Sequence, residues 1–232
     1  MGSGKVGGLR FESIRSSLKS ALTFTYGCVR LDSTLRPDIF SLSSNLIPHT
    51  FLLPPQTILL GLRGSGKSTL GKLLAARLIT DFVDLDIVTA GLLRVASAAE
   101  AIHTLGLPAF RDAEVRALQM PRCAAAGVLA LGGGTPTAHG AIPALSTLRA
   151  KGARLVYLRG TPDTLRSRLS ATDLSTRPSL TGASVLDEIE RLFAERDPLY
   201  RSLADNVVEI DGRSIDESVD DLAAALRKPL VT

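Results

Sequence analysis

Eight consecutive residues, Gly61-Leu-Arg-Gly64-Ser-Gly66-Lys67-Ser68, carry the densest chemistry in the chain. They satisfy the pattern G-x-x-x-x-G-K-[ST] in full, after an apolar run (Thr57-Ile-Leu-Leu60) and before a helical pattern. Gly64 and Gly66 let the main chain turn with its N–H groups aimed inward, and a helix N-terminus behind them favours an anion. Gly64, Ser65, Gly66, Lys67, Ser68 and Thr69 are therefore expected to cradle the phosphates of a nucleoside triphosphate. Lys67 is expected to reach the β- and γ-phosphates, and the Ser68 hydroxyl to ligate Mg²⁺.

A phosphate cradle gives binding without a reaction. Many such proteins place an acid at the end of a second apolar strand, but Val128-Leu-Ala-Leu131 runs into Gly132-Gly133-Gly134. The nearest acids are in Phe82-Val-Asp84-Leu-Asp86. Read as a strand, this stretch turns residues i and i+2 to one side, so Asp84 and Asp86 face the same way. Side by side near the nucleotide, Asp84 and Asp86 can divide the labour, one holding the Mg²⁺ shell and the other accepting a proton from an attacking hydroxyl. An aspartate at a strand end also commonly caps the following helix, and that bland role stays open for both.

The elements that must position these groups follow from periodicity. From residue 57 onward, apolar runs at 57–61, 82–85, 127–131, 154–158 and 206–210 alternate with helical stretches at 67–78, 87–96, 98–125 in pieces, 138–150, 162–170, 184–204 and 214–227. Strands separated by helices predict an α/β fold, a parallel sheet covered on both faces, with ligands beyond the carboxyl ends of the strands. The glycine loop, the two aspartates and the triple glycine all stand at such ends.

Composition narrows the class. With 45% hydrophobic residues the chain can pack a core, and with no Trp and 4% aromatics the core must be aliphatic. No apolar run approaches the ~20 residues of a membrane span, so no membrane partner is expected. Cys28 and Cys123 have no metal-ligand spacing, and a disulfide framework is not expected. The formal charge of +4 resides mostly in residues 1–56, leaving 21 basic against 20 acidic residues beyond them. No nucleic-acid partner is expected. Residues 1–56 lack sustained periodicity and end at Pro54-Pro55. They are read as a poorly structured N-terminal extension: a transit segment, a disordered arm or an over-early start. Residues 57–232 form the working domain.

Six motifs in register resemble the shikimate kinase family: GLRGSGKSTLG, Asp84-x-Asp86, Ala109-Phe-Arg-Asp-Ala-Glu114, Leu131-Gly-Gly-Gly-Thr135, Arg177-Pro-Ser-Leu and Arg196-Asp-Pro-Leu-Tyr-Arg201. The resemblance implies a three-layer P-loop kinase fold with a five-stranded parallel sheet in order 2-3-1-4-5. It implies ATP-dependent phosphorylation of the shikimate 3-hydroxyl, in the biosynthesis of chorismate and the aromatic amino acids. By position, Asp86 resembles the base, and Arg111 and Arg201 the pair that grips the substrate carboxylate. Gly132, Gly133 and Gly134 resemble the glycines lining the pocket, in a substrate-binding region of about 87–125. Arg168 resembles a residue stacking on adenine. Arg177 resembles the catalytic arginine of a lid at about 171–184. A monomer acting in the cytoplasm is expected, or in an organelle if residues 1–56 are a transit segment. ATP and Mg²⁺ are the expected cofactors and shikimate the small-molecule partner.

The chemistry of these residue types fits. Arginine presents a planar fork to a carboxylate, and Glu114, three residues after Arg111, can orient it. The chain departs from the family pattern at Ile102, at Leu107-Pro108 and at Thr135-Pro136, all expected to touch the pocket wall. The class of reaction is therefore better specified than the acceptor. A gluconate-type kinase on the same scaffold and a non-catalytic sensor module are the alternatives. His103 and His139 read as structural or surface residues.

Overall fold

The computed structural model describes residues 56–170 and 188–227, all within a unit spanning Phe51–Thr232. The expected N-terminal extension, the lid and Arg177 lie outside the described residues. Five strands, β1 (Thr57–Leu60), β2 (Phe82–Asp84), β3 (Val128–Ala130), β4 (Arg154–Arg159) and β5 (Asn206–Glu209), form one sheet. It is all-parallel, in the order β2-β3-β1-β4-β5. This is the order that the family resemblance implied. The three central strands are continuous runs of buried residues, Ile58 to Leu60, Val128 to Ala130 and Leu155 to Leu158. Such runs are required when helices cover both faces.

Nine α-helices are present among the described residues: α1 (Lys67–Arg77), α2 (Leu85–Leu93), α3 (Ala98–Leu105), α4 (Leu107–Leu118), α5 (Pro121–Ala124), α6 (Ala141–Ala150), α7 (Pro162–Ser170), α8 (Glu188–Leu203) and α9 (Ile215–Arg227). Helices α2, α3 and α4 pack on one another, α1 packs on β1 to β3 and on α9, and α8 lies against α7 and β4. Gly71 lets α1 press onto the sheet, since a Cβ there would stand 2.6 Å from the Phe82 ring and 3.1 Å from Leu59.

One boundary differs from expectation in a way that matters. The strand containing the two aspartates ends at Asp84, and Leu85 already begins α2. Asp84 caps that helix, its Oδ1 accepting from the Asp86 N–H at 3.0 Å. Asp86 therefore sits in the first helical turn. The two carboxylates are brought together by a helix cap, where strand alternation had been expected to do it.

Candidate active site

The glycine loop folds as its pattern demands. Gly64 and Gly66 adopt φ of 82° and 83°, a left-handed backbone that a side chain would strain. Helix α1 begins at Gly66 with no side-chain cap and no acid in its first turn. Its first N–H groups are thus left to whatever anion the loop receives. The Lys67 ammonium bends back over the loop, donating to the carbonyls of Gly61 (2.8 Å) and Leu62 (3.0 Å). The Ser65 side chain is buried beneath the loop, with its Oγ 3.5 Å from the same ammonium.

At the exit of the loop, the Ser68 hydroxyl donates to Asp84 Oδ2 at 2.6 Å. Asp84 thus divides its oxygens, one to the cap and one to the loop. A hydroxyl and a single carboxylate beside a phosphate cradle form a hard-oxygen donor set. It suits Mg²⁺, which keeps several waters and takes few protein ligands. Among the described residues no group of three or more His, Cys, Asp or Glu is arranged to hold a metal ion, so no multi-carboxylate cage competes with this position.

The loop opens into a cavity of about 570 Å³, within the usual range for a small-molecule site. Arg63, Gly64, Gly66, Lys67, Ser68 and Thr69 line one part of it, and Asp84, Asp86, Arg111, Gly133, Gly134 and Arg196 another. An apolar wall comes from Ala98, Ala99, Ile102 and Phe110. Of the three departures from the family pattern, Ile102 faces the cavity, whereas Leu107 and Pro136 are not among its lining residues. His103 and His139 are exposed.

Charge at the acidic corner is tightly arranged. The Asp86 carboxyl is pushed up to about 6, first by burial, then by the negative charges of Glu114 and Asp84. Lys67 and Arg111 pull the other way without cancelling this. Glu114 is fully buried and accepts from both Arg111 Nη1 and the Thr135 hydroxyl. Gly132 is what leaves room, since a Cβ there would lie 2.6 Å from Asp86 Oδ1 and would overlap Glu114 Oε1. Gly134 plays the same part for the cations. A Cβ there would overlap the Arg111 guanidinium and stand 3.1 Å from Arg196 Nη1.

That last contact corrects the expected arginine pair. Arg201 is not among the lining residues. Its Nε donates to Asp197 Oδ2 at 2.9 Å, and its side chain is 46% exposed. The residue beside Arg111 is Arg196, whose Nη1 donates to the Gly133 carbonyl at 3.0 Å. The reason is helical phase. Ile189, Leu192 and Tyr200 form the buried stripe of α8, and Arg196 continues it at i−4 from Tyr200, whereas Arg201 is one residue off it. The apolar stripe was visible in the sequence and marks the inner face of α8, but not which part of the molecule that face meets. Arg63 also lines the cavity, its Cγ within 3.2 Å of where a Gly133 Cβ would be; as a variable position of the loop pattern it carries no sequence signal.

Toward the other end of the cavity lie Arg168 and the turn from β5 into α9. Arg168 Nη2 donates to the Ile210 carbonyl at 3.0 Å, and Arg213, Ser214, Ile215 and Ser218 share the lining. Arg168 Nη1 stands 3.7 Å from the position of a Gly66 Cβ, so this arginine spans the loop and the turn.

A nucleotide-type phosphate loop at the carboxyl edge of a 2-3-1-4-5 sheet, facing an acid–arginine corner, defines a P-loop kinase. The sequence matches the family model described as "Shikimate kinase" over residues 63–227. The chain is 40% identical over 177 residues to the shikimate kinase of Rhodopirellula baltica, covering 74% of this chain and 90% of that protein. It is 36% identical to shikimate kinase 2 of Yersinia enterocolitica, covering 66% of this chain and 86% of that one. Among solved structures, the shikimate kinase from Acinetobacter baumannii in complex with shikimate superposes with a TM-score of 0.64 at 25% identity, over 73% of this chain and 90% of that one. The shikimate kinase from Bacteroides thetaiotaomicron superposes at 0.63 and 27% identity, over 75% and 98%. This chain belongs to the shikimate kinase family. A gluconokinase from Sinorhizobium meliloti superposes at 0.53 with 18% identity over 75% and 92%, and that likeness concerns the fold alone.

Proposed function

We propose that this chain transfers the γ-phosphoryl group of ATP to the 3-hydroxyl of shikimate, giving shikimate 3-phosphate and ADP. The observation that carries the reading is the convergence of Asp86, Arg111 and Arg196 on the cavity into which the phosphate loop opens. Arg111 and Arg196 grip the carboxylate of the acceptor. Asp86, ionised above pH 6, accepts the hydroxyl proton as that oxygen bonds to the γ-phosphorus and the bond to the bridging oxygen of ADP breaks. The first amides of α1, together with Lys67, hold the phosphates. Arg168 borders the adenine, and the part expected of Arg177 in a lid at about 171–184 lies outside the described residues. Ser68 and Asp84 are the residues suited to hold Mg²⁺, which when bound supplies positive charge to the β- and γ-phosphate oxygens.

We propose further that the enzyme acts as a monomer in the cytoplasm, or in an organelle if residues 1–56 act as a transit segment. Among the described residues no helix is long and apolar enough to cross a membrane. The decisive experiment is ADP release measured with Mg²⁺-ATP against shikimate, gluconate and related hydroxy acids. Turnover confined to shikimate is the expected result. Turnover with gluconate alone would move the acceptor to the gluconate class, and binding without turnover would make the protein a sensor.

A further inference from the structure

Asp197 is not among the residues lining the cavity, yet three side-chain donors converge on it. Its Oδ1 accepts from the Tyr157 hydroxyl at 2.9 Å and from Arg159 Nε at 2.8 Å, and its Oδ2 from Arg201 Nε at 2.9 Å. Burial opposes its ionisation, but the hydrogen bonds from Arg159, Arg201 and Tyr157 outweigh burial and hold the carboxyl below the usual range. Tyr157 and Arg159 belong to β4, and Arg159 pairs in turn with Glu209 of β5 at 3.1 Å. Asp197 therefore ties α8 to the sheet. The tie comes where the helix is intrinsically weak, because Pro198 has no N–H to give to the carbonyl four residues back.

The residues on either side of this tie face the acceptor end. Arg196 Nη1 and the Tyr200 hydroxyl, one helical turn apart, both donate to the Gly133 carbonyl, at 3.0 and 2.9 Å. Burial holds the Tyr200 phenol up at about 12, so it remains a donor at any physiological pH. The Tyr200 ring meets Tyr157 edge-on at 5.6 Å, joining the two sets of bonds. Because the peptide unit is planar and trans, clamping the Gly133 carbonyl also fixes the direction of the Gly134 N–H.

We infer that Asp197 is a positioning residue for the acceptor. It locks α8 on β4 so that Arg196 reaches both the acceptor carboxylate and the Gly133 main chain. The inference rests on the reading of the cavity as a shikimate site and adds a residue that never touches the ligand.

The test is steady-state kinetics on the full chain, with KM for shikimate and for ATP measured separately. Asp197→Ala is expected to raise the shikimate KM about tenfold or more, the scale of losing charge-assisted hydrogen bonds, with the ATP KM within about twofold. Asp197→Asn keeps an oxygen for Tyr157 and Arg159 and is expected to recover most of the loss. An unchanged shikimate KM in Asp197→Ala, or equal rises in both KM values, would overturn the inference. If Asp197→Ala does not fold, Tyr157→Phe removes one donor alone. A several-fold rise confined to the shikimate KM supports the role, and wild-type values for both substrates sink it. A wild-type chain without shikimate-dependent ADP release would instead defeat the functional reading.

Discussion

Asp86 and Glu114 direct carboxylate oxygens at the same small volume, the space that Gly132 leaves by having no side chain. They arrive from different helices, α2 and α4, and their fates diverge. Glu114 is held in place by hydrogen bonds from Arg111 and Thr135. Asp86 faces the cavity with a carboxyl held up at about 6, by burial and then by Glu114.

The first prediction concerns pH. A base with its carboxyl at about 6 must lose its proton to act, so kcat/KM is expected to fall as pH drops through about 6. Glu114→Gln removes the larger of the two charges raising Asp86 and frees Arg111 to lower it further, so the acid limb should move to lower pH. A profile from pH 5 to 8 on both proteins checks this, and an unmoved or upward-shifted limb contradicts the coupling.

Asp86→Asn separates chemistry from stability. Turnover should fall by ~10² or more, the scale of a general base, while ATP affinity holds. A raised folded-state pKa means that the folded protein binds a proton more tightly than the unfolded chain. The ionised carboxylate thus costs stability, increasingly as pH rises from about 4 to 6 and fully above 6. The asparagine variant should therefore melt a few degrees higher at pH 7.5, for a gain of at most about 3 kcal/mol. Near-full activity in this variant would remove Asp86 from the role of base.

The arginine assignment has its own comparison. Arg196→Ala should raise the shikimate KM by at least about tenfold, because a charged hydrogen bond to a carboxylate is lost. Arg201→Ala removes a half-exposed ion pair on the outer side of α8 and should change either KM by less than about threefold. Equal losses in the two variants would restore Arg201 to the site.

Ser68 and Asp84 are tested together through the metal. Asp84→Ala removes both the helix cap and the partner of Ser68. It should raise the Mg²⁺ concentration giving half-maximal rate about tenfold or more and cost about 1 kcal/mol of stability from the lost cap. Ser68→Ala should raise the Mg²⁺ requirement without the thermal loss. A rate equally Mg²⁺-dependent in all three proteins would place the metal elsewhere.

Sequence and tertiary structure contributed different things. The loop was legible because its job is local: the turn conformation, the positive φ of Gly64 and Gly66 and the helix start are set within a few residues. The three central strands were legible because doubly covered strands must be apolar throughout. Asp84 and Asp86 both line the cavity, but local period could not show that one caps the turn holding the other. Arg196 against Arg201 was harder. Both are arginines of one helix, and which of them enters the cavity depends on the rotation of α8 about its axis. That rotation is fixed by Asp197 against β4 and by Tyr200 against Gly133. The chain by itself determined a phosphate cradle and a parallel sheet, since backbone geometry and hydrophobic period act at short range. Only the packed structure decided which cation meets Arg111, because that follows from contacts between residues more than sixty positions apart.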